Sequence, residues 1–283
     1  MREVIELDPA WSHSIFQSFY ILPERRGLYP NRVFVRKTGA GPELFFETNS
    51  WGLKGPEPDG TKPVLAVWGD SVVFGHGRSW VEMLNDIQSN LCALNGGLEG
   101  DDPVNILRRM WEANQAYKVD VNIYFPGWHA RPGYACDPPS DWMPNPMLAD
   151  ILPKVIEQKM PGKFILCTVP IWLTPAMMQQ DVPAYFHPEG NITDTYFAFW
   201  GNLTYGKDLV LNIYRYMSER NDIVRGMASK YGVSLIDLDK RFAFSTMEKI
   251  REYFFDLCHF RPAIYGELSQ ILLDELKRLK VLT

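Results

Sequence analysis

The chain has 283 residues, 46% of them hydrophobic, with a formal net charge of -5 and a pI near 5.6. That length and apolar content suffice for one large core, so one α/β domain with additions is expected rather than two equal domains. The acidic balance and the lack of a strong Lys/Arg run argue against a nucleic-acid partner; Arg108-Arg109 and Glu24-Arg25-Arg26 read as solvated surface.

The amino terminus, MREVIELDPAW, lacks a cationic segment followed by an apolar one, and no stretch approaches the roughly 18 uninterrupted apolar residues of a membrane span. No membrane span and a cytoplasmic location are therefore expected. The four cysteines, Cys92, Cys136, Cys167 and Cys258, are scattered without a C-x-x-C pair and read as reduced and mostly buried.

Within residues 1–60, Arg32 to Lys37 and Glu43 to Glu47 flank Gly39-Ala40-Gly41-Pro42, which reads as an antiparallel hairpin ahead of the main domain. The domain itself is expected over 61–283. Short apolar runs recur there at Val64 to Trp68, Leu91 to Leu94, Val119 to Phe125, Phe164 to Val169 and Val233 to Leu238. Helical patterns lie between them, which implies a parallel sheet with helices on both faces.

The first run ends on Gly69-Asp70-Ser71, leaving a serine on the loop at the strand's carboxyl end, where open α/β sheets build their sites. Ser79-Trp80-Val81-Glu82 has the form of a capping box, with Trp80, Met83, Leu84, Ile87 and Leu91 at helical spacing behind it. Residues 170–206 are rich in Pro, Gly and aromatics and read as an insertion that either walls the site or fills a satellite core. Pro262 opens a last helix with Ile264, Leu268, Ile271, Leu272, Leu276 and Leu279 as its inward stripe, so Asp256 and His259 fall on the preceding loop.

A serine nucleophile needs a base and a group that orients the base. Asp256-Leu257-Cys258-His259 supplies both at a spacing that brings the carboxylate back to the imidazole, and leaves the other ring nitrogen for Ser71. The competing reading makes Asp256 a helix cap and His259 an incidental loop residue. A phosphate loop through Gly69, Gly75 and Gly77 fails because no G-K-[ST] follows. A metal site at Asp256, Cys258 and His259 lacks further ligands, since His13, His76 and His187 form no second cluster. Neither a metal nor a cofactor is expected.

These blocks resemble those of the SGNH or GDSL-type serine hydrolases over roughly Pro63 to Leu279. Gly69-Asp70-Ser71 with Gly75 is similar to G-D-S-x-x-x-G, Asn95 to Gly100 to the second block, and Asp256 to His259 to D-x-x-H. The resemblance implies a flavodoxin-like α/β/α sandwich of about five parallel strands, and an ester carbonyl attacked by Ser71 with His259 as base and Asp256 orienting it. It further implies an oxyanion hole from the N–H groups of Ser71 and Gly100 and an asparagine side chain from a G-x-N-D block. Here Pro126-Gly127-Trp128-His129-Ala130 departs from that block: His129 stands in the asparagine's place and Ala130 in the aspartate's. A neutral imidazole can donate one N–H, which makes His129 the candidate third donor.

The expected reaction is hydrolysis of a small acyl ester on a polar or carbohydrate-like small molecule or glycan. An O-acyltransferase using the same serine, and a catalytically impaired binding protein, are the alternatives.

Overall fold

A computed structural model of the chain describes residues 2–7, 21–23, 27–38, 41–75, 77–128, 145–171, 207–243, 247–254 and 258–282. Near the amino terminus β1 (Glu3–Leu7) pairs parallel with β2 (Arg32–Thr38), which pairs antiparallel with β3 (Gly41–Glu47). The alternation in the sequence indicates only the β2–β3 hairpin; β1 adds a third strand.

The main sheet contains β4 (Val64–Gly69), β5 (Cys92–Gly97), β6 (Val121–Tyr124), β7 (Lys163–Cys167) and β8 (Ser234–Ile236). All neighbours are parallel and the order is β5-β4-β6-β7-β8, a flavodoxin-like order with β4 and β6 at the switch point. Because side chains alternate along a strand, the buried run of β4 feeds two cores. Leu65 and Val67 enter one with Ile123, Ile165 and the inward stripe of the last helix; Val64, Ala66 and Trp68 enter the other with Ile106, Met110 and Leu152.

Among the described residues the helices are α1 (Ser71–Phe74), α2 (Leu84–Ile87), α3 (Pro103–Ala116), α4 (Asn145–Glu157), α5 (Lys207–Tyr231), α6 (Leu238–Arg241), α7 (Met247–Tyr253) and α8 (Tyr265–Arg278). Pro262–Ile264 forms a 3₁₀ turn before α8, whose Leu268, Ile271, Leu272 and Leu276 are buried. Among the described residues, no helix is long and apolar enough to cross a membrane.

Four expectations are corrected. Ser71 is not on a loop but opens a one-turn helix. The helical pattern after Ser79 yields only turns and the four-residue α2. Glu82 does accept from the Ser79 N–H at 3.0 Å, as in a capping box, but Asn85 exchanges two hydrogen bonds with the Ala93 backbone and draws the segment onto β5. Tertiary pairing thus overrides local periodicity. The second run starts at Cys92 and continues through Gly97, so Asn95, Gly96 and Gly97 lie within a strand. The last run is cut to Ser234–Ile236, with Asp237 capping α6 and Leu238 inside it.

One buried amide chain ties β4, β6 and α3 together. Trp68 Nε1 donates to Asn122 Oδ1 at 2.9 Å, and Asn122 and Asn114 exchange hydrogen bonds of 2.9 and 3.0 Å. The Asn122→Leu variant takes their partner from the Trp68 indole N–H and from Asn114 Oδ1, while Asn114 Nδ2 keeps Met110 O. Urea denaturation is expected to show a loss of about 2–4 kcal/mol.

Candidate active site

At the carboxyl end of β4 the chain turns abruptly. Asp70 leaves helical geometry and caps α1, its carboxylate accepting from Val72 N at 3.0 Å, so that Ser71 becomes the first helical residue. Val72, Val73 and Phe74 are buried beneath it, while Ser71 is half-buried. The turn lies so close on β5 that a Cβ at Gly97 would stand 2.2 Å from the Phe74 nitrogen. Only glycine fits there.

His259 arrives from the far end of the chain. The loop between α7 and α8 is closed by an antiparallel bridge between Phe254 and Phe260, whose rings stack at 4.8 Å, and by the Arg261 N–H donating to Tyr253 O at 2.8 Å. Cys258 and Phe260 are buried on either side of His259, which is half-buried. His259 Nε2 stands 2.7 Å from Ser71 Oγ, and its Nδ1 is 3.4 Å from Cys258 Sγ. A ring that accepts the serine proton at Nε2 carries its own proton on Nδ1. Asp256, the expected orienting carboxylate, lies outside the described residues, as do His129 and Ala130 and the insertion from 172 to 206.

The loop after β5 passes through Gly100, whose φ is 64°. Leu98 N–H donates to Gly69 O at 3.0 Å, which ties this loop to the end of β4. The same ends are gripped from behind by Arg109 of α3. Its guanidinium donates to Gly96 O at 2.8 Å, to Gly69 O at 3.2 Å and to the Asp101 carboxylate at 2.8 Å. Arg109 is 3% exposed and Asp101 fully buried, so the surface reading holds for Arg108 and fails for Arg109. Its flanking Ile106 and Met110, both buried, carry the signal that would have placed it inward.

Asp70 does a second job. Its other carboxylate oxygen accepts from the Trp128 N–H at 2.6 Å, joining the serine turn to the loop after β6. Gly127 has φ 72°, and a Cβ there would lie 2.8 Å from the Asp70 carboxylate. Arg220 of α5, buried, donates to Gly127 O at 2.6 Å and to the Tyr216 hydroxyl at 2.6 Å. Burial pushes the Tyr216 phenol above its ordinary pKa, with the neighbouring guanidinium opposing that rise. Among the described residues, the buried indole N–H of Trp128 has no acceptor. Asp70 and Arg220 therefore fix the backbone immediately before position 129.

Among the described residues no group of three His, Cys, Asp or Glu side chains is arranged to hold a metal ion. The chemistry available to the arrangement is that of a hydroxyl and an imidazole in hydrogen-bond contact.

No protein-family profile and no curated protein sequence matches the chain. Solved structures do. An acetylxylan esterase from Geobacillus stearothermophilus superposes with a TM-score of 0.52 at 16% identity, covering 76% of this chain and 94% of that one. A lipase/acylhydrolase from Enterococcus faecalis gives 0.52 at 18% identity, covering 76% and 95%. A further acetyl xylan esterase gives 0.50 at 16% identity, covering 75% and 98%.

The Gly127→Ala variant forces a side chain into the left-handed region against Asp70. Its expected cost is about 1–3 kcal/mol of stability. Displacement of the adjoining loop should slow modification of Ser71 by a fluorophosphonate about tenfold or more; an unchanged modification rate would show that the loop does not depend on this glycine.

Proposed function

We propose, from the premise that this chain has the fold of the SGNH/GDSL-type hydrolases, that it is a serine esterase acting through an acyl-Ser71 intermediate. The observation that carries the reading is the 2.7 Å contact between His259 Nε2 and Ser71 Oγ at the carboxyl edge of the sheet. The two residues are 188 positions apart in sequence, so local chain geometry does not account for their contact.

Ser71 Oγ attacks the acyl carbon as its proton passes to His259 Nε2. The resulting oxyanion accepts hydrogen bonds from the N–H groups of Ser71 and Gly100 and from His129. Collapse breaks the ester C–O bond, and the alcohol leaves with the proton from His259. Water then repeats the sequence on the acyl-enzyme: His259 takes its proton, the acyl–Oγ bond breaks, and Ser71 is regenerated as the acid departs. Asp256 holds the imidazole through Nδ1 in this scheme.

The substrate we propose is a small acyl ester, acetyl-like, on a polar or carbohydrate-like molecule. It is supported by the acetylxylan esterases among the structural neighbours and by the Trp- and Tyr-rich sequence from 170 to 206, since aromatic faces suit sugar rings. An acyltransferase would use the same serine and pass the acyl group to an acceptor hydroxyl. The non-catalytic reading rests on His129 and Ala130 in place of the Asn-Asp pair.

Intact-mass analysis after fluorophosphonate treatment is expected to show one adduct, absent from Ser71→Ala and from His259→Ala. The imidazole must be neutral to accept the proton, so the labelling rate should fall as the pH is lowered. No adduct on the folded wild-type chain would favour the binding protein. Among p-nitrophenyl esters, acetate should be turned over faster than long-chain acyl esters; the reverse order would overturn the substrate proposal.

A further inference from the structure

The amino-terminal sheet shares its apolar core with the serine turn. Leu7, Ile21, Leu28, Phe34 and Phe46 pack with Phe74 of α1 and with Leu98 of the loop that leads to Gly100. Phe46 and Phe74 meet edge to face at 5.2 Å. Between this core and the main sheet lies Lys54, fully buried, its backbone paired with Asn95 on the edge strand β5.

The Lys54 ammonium has three donors and three oxygen partners. It donates to Phe74 O at 2.6 Å and Gly77 O at 2.7 Å, and it pairs with the Glu82 carboxylate at 3.2 Å. It also stands 4.2 Å from the centre of the Phe74 ring. Burial holds its pKa below the usual lysine value, with Glu82 opposing the shift. Asn95 reinforces the same place, donating to Val73 O at 2.9 Å and Phe74 O at 3.2 Å. A one-turn helix leaves its last carbonyls without helical partners. In α1 those carbonyls are taken by Lys54 and Asn95.

A methionine would fill the space between Phe46 and Phe74 without the desolvation that a buried charge incurs. What the ammonium adds is direction, because it binds Phe74 O, the last carbonyl of the turn that begins at Ser71, and Gly77 O just beyond it. We propose that Lys54 is a positioning residue for acyl transfer at Ser71: it anchors the carboxyl end of the turn that presents Oγ to His259, and so makes the amino-terminal sheet a working part of the catalytic unit. This rests on the serine-esterase reading. Residues 1–60, set apart by sequence as an extension, are on this view inseparable from the site.

The test compares wild type with Lys54→Met and with the double variant Lys54→Met/Glu82→Gln. The double variant removes the ion pair without leaving an unpaired carboxylate, and the Glu82→Gln change keeps an oxygen for the Ser79 N–H, so it is expected to fold even where the single variant does not. Thermal unfolding, fluorophosphonate labelling rate, and kcat and KM for p-nitrophenyl acetate are measured on each. The expected result is a folded double variant whose labelling rate and kcat fall about 10- to 100-fold at unchanged KM. Wild-type labelling in the folded double variant, with only a lowered unfolding midpoint, would overturn the proposal and leave Lys54 a structural counter-charge to Glu82. A wild-type chain that takes no adduct would overturn the esterase reading instead.

Discussion

The constraint on which the rest of the structure depends is the closeness of the serine turn to the sheet. Gly97 brings the β5 backbone within side-chain distance of α1, and the buried Val72, Val73 and Phe74 clamp the turn from within. A helix of one turn has almost no stability of its own, so its geometry is set by what surrounds it. Here every neighbour contributes: Asp70 caps the start, Lys54 and Asn95 take the final carbonyls, and Trp80 donates its indole N–H to Val72 O at 3.0 Å. The serine is thereby held at the edge of a rigid sheet, and a hydroxyl with one fixed position can meet a histidine from elsewhere in the fold.

Three buried cations perform comparable work around this edge. Arg109 binds the carbonyls of Gly69 and Gly96 near the ends of β4 and β5, Arg220 binds the carbonyl of Gly127, and Lys54 binds the Phe74 carbonyl that ends α1. Burying a charge is costly unless its hydrogen bonds are met, and main-chain carbonyls at strand and helix ends are the acceptors that the fold leaves over. The three site loops are thus linked through polar contacts beneath an otherwise apolar sandwich. Asp70 completes the linkage, since one carboxylate bonds the serine turn and the loop after β6 together.

Much of the scaffold was legible in the sequence. Continuous apolar runs marked β4 and β7 because strands covered on both faces have no polar side to break the pattern. The places of Ser71 and His259 near strand and helix ends were legible too, and the structure brings their side chains together. The supporting cations were not. Arg109 looked like half of a surface pair, Lys54 lay in a Gly- and Pro-rich stretch read as preceding the domain, and both bind main-chain oxygens, which have no sequence signature. The failed helix after Ser79 has a similar origin: Asn85 pairs with the backbone of a strand that cannot be identified as its neighbour until the sheet is assembled.

The span between Ser71 and His259 bears on how the chain assembles this contact. The two meet across 188 positions of sequence, with the Phe254–Phe260 bridge closing the loop that carries His259. Contacts of such sequence separation form late, because the entropy of closing the loop must be met before they contribute. A chain growing from its amino terminus therefore carries its serine through most of synthesis without a base beside it. On the proposed role of Ser71, its reactivity awaits the arrival of the segment that carries His259, so labelling of the serine would time a late step of folding.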